Sequence, residues 1–170
     1  MTPSAARGVA PILVLGWGNP SRGDDALGPE FITRASALPL PTGAPPVEWL
    51  TDFQLQIEHA LDLAGRSQVL FVDASVSCAA PFQVDVLHSA PDHGAASHAL
   101  SPQAVMAVFE RLNGCAPPPC TLLAIRAHHF ELGSPIGADV QQHLEQALGW
   151  YAGWLSGCRL QPGSFGRCTN

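Results

Sequence analysis

Three stretches of the chain are almost uninterrupted runs of apolar residues. They are Pro11 to Gly18 (PILVLGWG), Gln68 to Ala74 (QVLFVDA) and Thr121 to Ala127 (TLLAIRA). Such runs, bounded by glycine or a polar residue, predict buried strands of a parallel sheet, whose two faces are both covered. Val47 to Thr51 predicts a fourth, shorter strand. Phe82 to Leu87 alternates Phe82, Val84 and Val86 with polar neighbours, as an edge or antiparallel strand does. Between these runs the apolar period changes to three or four. Helices are predicted over Gly28 to Leu38, over Gln54 to Ala64 with Leu55, Ile57, Leu61 and Leu63 on its apolar face, over Ser101 to Leu112 with Ser-Pro at its start, and over Ile136 to Leu155. Strands alternating with helices predict an α/β fold, a three-layer αβα sandwich with a mostly parallel, twisted five-stranded sheet. In such sheets ligands sit outside the carboxyl ends of the strands. The loops of interest are therefore those after Gly16, after Thr51, after Asp73 and after Arg126, together with the stretch Leu87 to Pro102.

A length of 170 residues fits one domain spanning 1–170. The Pro/Gly-rich patches at Pro39 to Pro46 and Gly114 to Pro119 are short enough to be connections within it, and residues 157–170 read as a loose tail. Hydrophobic residues make up 46% and charged residues 13%, which excludes an intrinsically disordered chain. The net charge is −6, and every basic residue is an arginine, spaced singly from Arg7 to Arg167. Without a basic stripe, nucleic acid and anionic membrane surfaces are excluded as partners. The absence of lysine also removes Schiff-base and P-loop chemistry. Cysteines at 78, 115, 120, 158 and 168 form no C-x-x-C pair and read as scattered thiols. With no apolar leader and no apolar run near 18 residues, a cytoplasmic protein is expected.

The loop after the first strand reads Gly16-Trp17-Gly18-Asn19-Pro20-Ser21-Arg22-Gly23-Asp24-Asp25-Ala26-Leu27-Gly28. Its opening G-x-G fails as a dinucleotide fingerprint, because Ser21 stands where the third glycine belongs and two aspartates would face the phosphates. What it does carry is a pair of acids at the mouth of the sheet. Asp24 reads as a helix cap or Asx-turn aspartate, and Asp25 as the chemical group of the two. Asp73 ends an apolar strand, where an aspartate serves equally as a ligand or as the cap of the next turn. His98, in a Ser/His/Gly-rich loop before a helix, is by itself an ordinary solvated imidazole. Together Asp25, Asp73 and His98 make an O2N donor set suited to a borderline divalent metal with open positions. His128 and His129 read as a solvated pair, and His59, His88, His93 and His143 as surface side chains. Cys78 has no activating histidine to make it a nucleophile, and Trp150 and Trp154, one turn apart, read as core packing.

The stretch GWGNPSRGDDALGPEF, followed by LFVDA at 70 to 74 and SHALSP at 97 to 102, resembles the hydrogenase maturation endopeptidases. These remove a C-terminal peptide from the large subunit of [NiFe] hydrogenases. The resemblance implies that Asp25, Asp73 and His98 bind nickel, that the nickel arrives with the large-subunit precursor, and that Asp25 and Asp73 are catalytic. It implies an aspartic-type peptidase. The SHALSP form and Phe130-Glu131-Leu132-Gly133 resemble members serving soluble, cofactor-reducing hydrogenases. Two alternatives stand beside it. One is a chaperone that checks the metal of the same subunit without cutting it. The other is a peptidyl-tRNA hydrolase, whose first strand also ends in Gly-x-Gly-Asn-Pro, but whose Thr-Arg-His-Asn stretch here reads Thr33-Arg34-Ala35-Ser36.

Overall fold

The computed structural model describes residues 8–92 and 100–158. Five strands, β1 (Ile12–Trp17), β2 (Val47–Asp52), β3 (Gln68–Ser75), β4 (Phe82–Val86) and β5 (Cys120–Arg126), form one sheet in the order β2-β1-β3-β5-β4. The first three pairings are parallel, and β4 runs antiparallel along β5, with Phe82 opposite Ile125 and Val86 opposite Thr121. The sheet is thus mostly parallel with one antiparallel edge, as the alternating pattern of β4 predicts.

The central strands β1, β3 and β5 are largely apolar because both faces are covered. Ile12 and Val14 of β1, with Leu70 and Val72 of β3, pack beneath helices α1 (Leu27–Ala37) and α4 (Ala138–Gly157). Leu13 and Leu15, with Val69 and Phe71, pack against α2 (His59–Asp62) and α3 (Pro102–Asn113). Strand side chains alternate between faces, so each continuous apolar run supplies both cores. On the α4 side Trp150 and Trp154 stack on one another, and Tyr151 meets Phe31 of α1 edge to face with ring centroids 5.5 Å apart.

Local chemistry sets the helix ends. The Ser101 hydroxyl accepts the Ala104 N–H, Pro102 fills the first turn, and Gly114 closes α3 in the left-handed region at φ 65°. α4 runs on to Gly157, and Cys158 after it is buried; residues 159–170 lie outside the described residues. α2 is far shorter than the helix expected over Gln54 to Ala64. Leu55 and Leu63 are buried, but Ile57 and Leu61 are 57% and 67% exposed. The chain after β2 turns instead of coiling: Asp52 accepts the Phe53 N–H, and the His59 imidazole accepts the Gln56 N–H. His59, expected at the surface, is therefore buried. Cys78, Cys120 and Cys158 are buried free thiols, whereas Cys115 is disulfide-bonded, which corrects the expectation of five scattered thiols.

Candidate functional site

Because β1 has β2 on one side and β3 on the other, the chain reverses its direction of winding between β1 and β3. The crevice of an open parallel sheet forms at this point. The loop leaving β1 folds back over its own strand so tightly that two glycines are required. A Cβ on Gly18, at φ +141°, would stand 1.9 Å from the carbonyl oxygen of Asp25, and one on Gly28 would stand 2.1 Å from that of Trp17. The glycines that imitate a dinucleotide fingerprint thus serve backbone packing. They bring a single 3-10 turn, Gly23–Ala26, to the mouth of the sheet with both aspartates on it.

Those two aspartates do different work. Asp24 is 1% exposed. Its Oδ2 accepts the N–H groups of His128 at 2.8 Å and His129 at 3.0 Å, and its Oδ1 accepts that of Gly137 at 2.9 Å. Burial pushes its pKa up, but the amides of Gly137, His129 and His128 outweigh burial and hold the carboxyl below its ordinary 3.8. Asp24 is a structural anion, tying loops together where a cap or Asx-turn was expected. Asp25 is only partly covered, and its Oδ2 accepts one bond, from the Asn19 N–H at 3.0 Å.

Asp73 lies near the end of β3, where its Oδ1 accepts the N–H of Ala74 at 2.8 Å. Burial pushes its pKa from 3.8 to about 7; the Ala74 bond works against the rise, and the negative charge of Asp25 adds to it. The two carboxylates, one on the 3-10 turn after β1 and one on β3, therefore stand close enough to feel one another, at the point where the sheet opens. A pair of like charges in a partly desolvated crevice is relieved by a proton or by a cation.

His98 lies outside the described residues, and among the described residues no three metal-ligating side chains converge. At the base of its segment, Asp92 accepts both the N–H and the hydroxyl of Ser101. His128 and His129 stand with Asp24 instead: His128 Nε2 is 3.0 Å from Asp139 Oδ2, and its ring lies near those of His129 and His143. The Cys78 thiol is buried and donates to the carbonyl of Ala124 at 3.5 Å. The clamp that Asp24 makes on residues 128–137 has no signal in the sequence, since its partners are backbone amides more than 100 positions away.

No protein-family model matches the chain, and no curated protein does. Solved structures do. The [NiFe] hydrogenase maturation protease HycI from Thermococcus kodakarensis superposes with a TM-score of 0.67 at 21% identity, covering 88% of this chain and 95% of that one. The hydrogenase maturating endopeptidase HybD from E. coli gives 0.66 at 25% identity, covering 86% and 92%. A further endopeptidase from Escherichia coli, solved in solution, gives 0.62 at 26% identity, covering 87% and 94%. No helix among the described residues is long and apolar enough to cross a membrane. With its five-stranded, mostly parallel sheet and nearly full-length superposition on these proteins, the chain shares the fold of the hydrogenase maturation endopeptidases.

Proposed function

We propose that this chain is the cytoplasmic endopeptidase that removes the C-terminal peptide from the nickel-loaded precursor of a [NiFe] hydrogenase large subunit. The observation that carries the reading is the meeting of Asp25 and Asp73 at the β1/β3 crevice, in a fold shared with hydrogenase maturation endopeptidases. A nickel ion belonging to the substrate fits this pair, because the repulsion and burial that push Asp73 up to about 7 are what a divalent cation offsets. Asp25 and Asp73 would hold it, with His98 as the nitrogen donor, and bound there the metal polarises the scissile carbonyl or a water as a Lewis acid.

The chain's own residues do the rest. The Asn19 N–H fixes one oxygen of Asp25 and leaves the other for the substrate. That carboxylate takes a proton from the attacking water as the new C–O bond forms, and returns it to the amine as the C–N bond breaks. Cleavage then waits for the metal, since a precursor without nickel brings nothing to hold between the two acids.

Intact-mass analysis of nickel-loaded and nickel-free precursor, incubated with the wild type and with Asp25→Asn and Asp73→Asn, tests the reading. Loss of a C-terminal peptide from the loaded precursor alone, abolished in both variants, is the expected result. Tight binding of the loaded precursor without cleavage would overturn it in favour of a chaperone.

A further inference from the structure

Asp25 and Asp73 sit on different elements, so their separation is set by whatever joins those elements at the carboxyl edge of the sheet. On the β3 side the join is continuous. Asp73 lies opposite Ala124 and Ser75 opposite Arg126, and as β5 ends the Ala127 N–H still reaches the Ser75 carbonyl at 2.9 Å. The next two residues, His128 and His129, give their N–H groups to one oxygen of Asp24, at 2.8 and 3.0 Å. Its other oxygen accepts the N–H of Gly137, the N-cap residue of α4, at 2.9 Å. One buried carboxylate, next in sequence to Asp25, therefore ties the 3-10 turn to two rigid references. The first is the end of the strand pair that carries Asp73. The second is the start of a helix packed on the core through Val140 and Leu144.

An anion suits this place. Amides converging from two segments leave partial positive charge that a carboxylate offsets, and the N-terminal end of the 20-residue α4 adds its dipole. The backbone beside it has no slack either. The Asp24 N–H bonds the His129 carbonyl at 2.9 Å, and a Cβ on Gly23, at φ +55°, would stand 2.7 Å from that same oxygen. The bond that the Asp25 carboxylate itself accepts comes from Asn19, a residue of its own loop, and moves with that loop. It cannot fix Asp25 against β3, whereas Asp24 can.

We propose that Asp24 is a positioning residue for the Asp25 and Asp73 pair: its carboxylate, shared between the exit of β5 and the start of α4, sets the spacing at which the two acids meet the substrate's metal. This rests on the reading of the chain as a processing endopeptidase.

Asp24→Asn keeps the shape of the side chain but replaces one acceptor oxygen with a donor, so only one side of the clamp can form. Crystal structures of wild type and variant give the separation of the Asp25 and Asp73 carboxylates, and intact-mass kinetics on nickel-loaded precursor give kcat and KM. Phe109→Ala, which opens a cavity in the core beneath α3, controls for lost stability alone, each protein being assayed at the same interval below its own Tm. In Asp24→Asn the separation is expected to change by about 1 Å or more and kcat to fall about a hundredfold, with KM within about twofold. Phe109→Ala is expected to keep the wild-type separation and kcat. Unmoved carboxylates or a wild-type kcat in Asp24→Asn would overturn the inference, as would an equal loss of kcat in Phe109→Ala. If Asp24→Asn does not fold, Asp24→Glu takes its place, keeping the anion on an arm one methylene longer; the same displacement and kcat loss are expected, and wild-type values overturn the inference. A wild type that does not cut the loaded precursor removes the endopeptidase reading, and the carboxylate separation in the crystal structures then decides the inference by itself.

Discussion

Asp73 makes the native protein sensitive to pH in a direction opposite to that of most carboxylates. Its carboxyl is pushed up to about 7 by burial, opposed by the Ala74 bond and reinforced by Asp25, whereas in the unfolded chain it titrates at 3.8. Between these values the native state keeps a proton that the unfolded chain has released, so stability falls as pH rises through the window. Below about pH 4 both states hold the proton and there is no penalty. Above about pH 7 the native state must ionise Asp73 beside Asp25, and the penalty is complete. A displacement from 3.8 to about 7, at about 1.4 kcal/mol per pH unit, corresponds to roughly 4 kcal/mol at most, reduced by whatever water reaches the partly open side chain.

Asp73→Asn removes the charge and keeps the shape. Urea denaturation of wild type and variant at pH 4.5, 6 and 8 is the assay. The variant is expected to match the wild type within about 1 kcal/mol at the lowest pH and to exceed it by about 1 to 3 kcal/mol at pH 8. Asp25→Asn, which removes only the repulsion, is expected to give a smaller gain of the same sign and to move the Asp73 carboxyl 13C titration downward. A difference between wild type and Asp73→Asn that does not change with pH would refute the argument, as would a variant less stable than the wild type at pH 8.

Asp24 is the opposite case. Asp24→Ala breaks three charge-assisted hydrogen bonds and strands the amides of His128, His129 and Gly137, so a loss of about 3 to 5 kcal/mol is expected in urea denaturation. Because the folded carboxyl lies below 3.8, its contribution is present above that value and is lost as pH falls through the folded pKa; the gap between wild type and variant is expected to narrow in acid. Gly28→Ala places a methyl carbon 2.1 Å from the carbonyl oxygen of Trp17, backbone against backbone, and is expected to leave the protein insoluble or molten by near-UV circular dichroism.

The fold was legible because its strands are buried on both faces. Runs such as ILVLGW and QVLFVDAS have no competing reading once helical periods stand between them, and the polar alternation of β4 marked it as the antiparallel edge. Periodicity failed after β2, where Leu55, Ile57, Leu61 and Leu63 mimic a helical stripe. There side chains decide the backbone: Asp52 and His59 accept the amides of Phe53 and Gln56, so only the turn His59–Asp62 is helical and Ile57 and Leu61 face water. No pattern of apolar spacing reports a local capping contest of that kind.

The site shows the same division more sharply in two adjacent letters. Asp24 and Asp25 are identical in chemistry and share one 3-10 turn, yet successive side chains on such a turn point about 120° apart. That angle sends one carboxylate inward to three amides and the other toward the crevice and Asp73. The sequence offers both as candidate acids, and a cap or turn role for the first is close in spirit to what it does. What separates them is a loop more than 100 residues downstream, whose free N–H groups need an anion and find only one within reach. Buried and with both oxygens committed to those amides, Asp24 is held as a structural anion, and the acid chemistry of the loop falls to Asp25 with its single hydrogen bond.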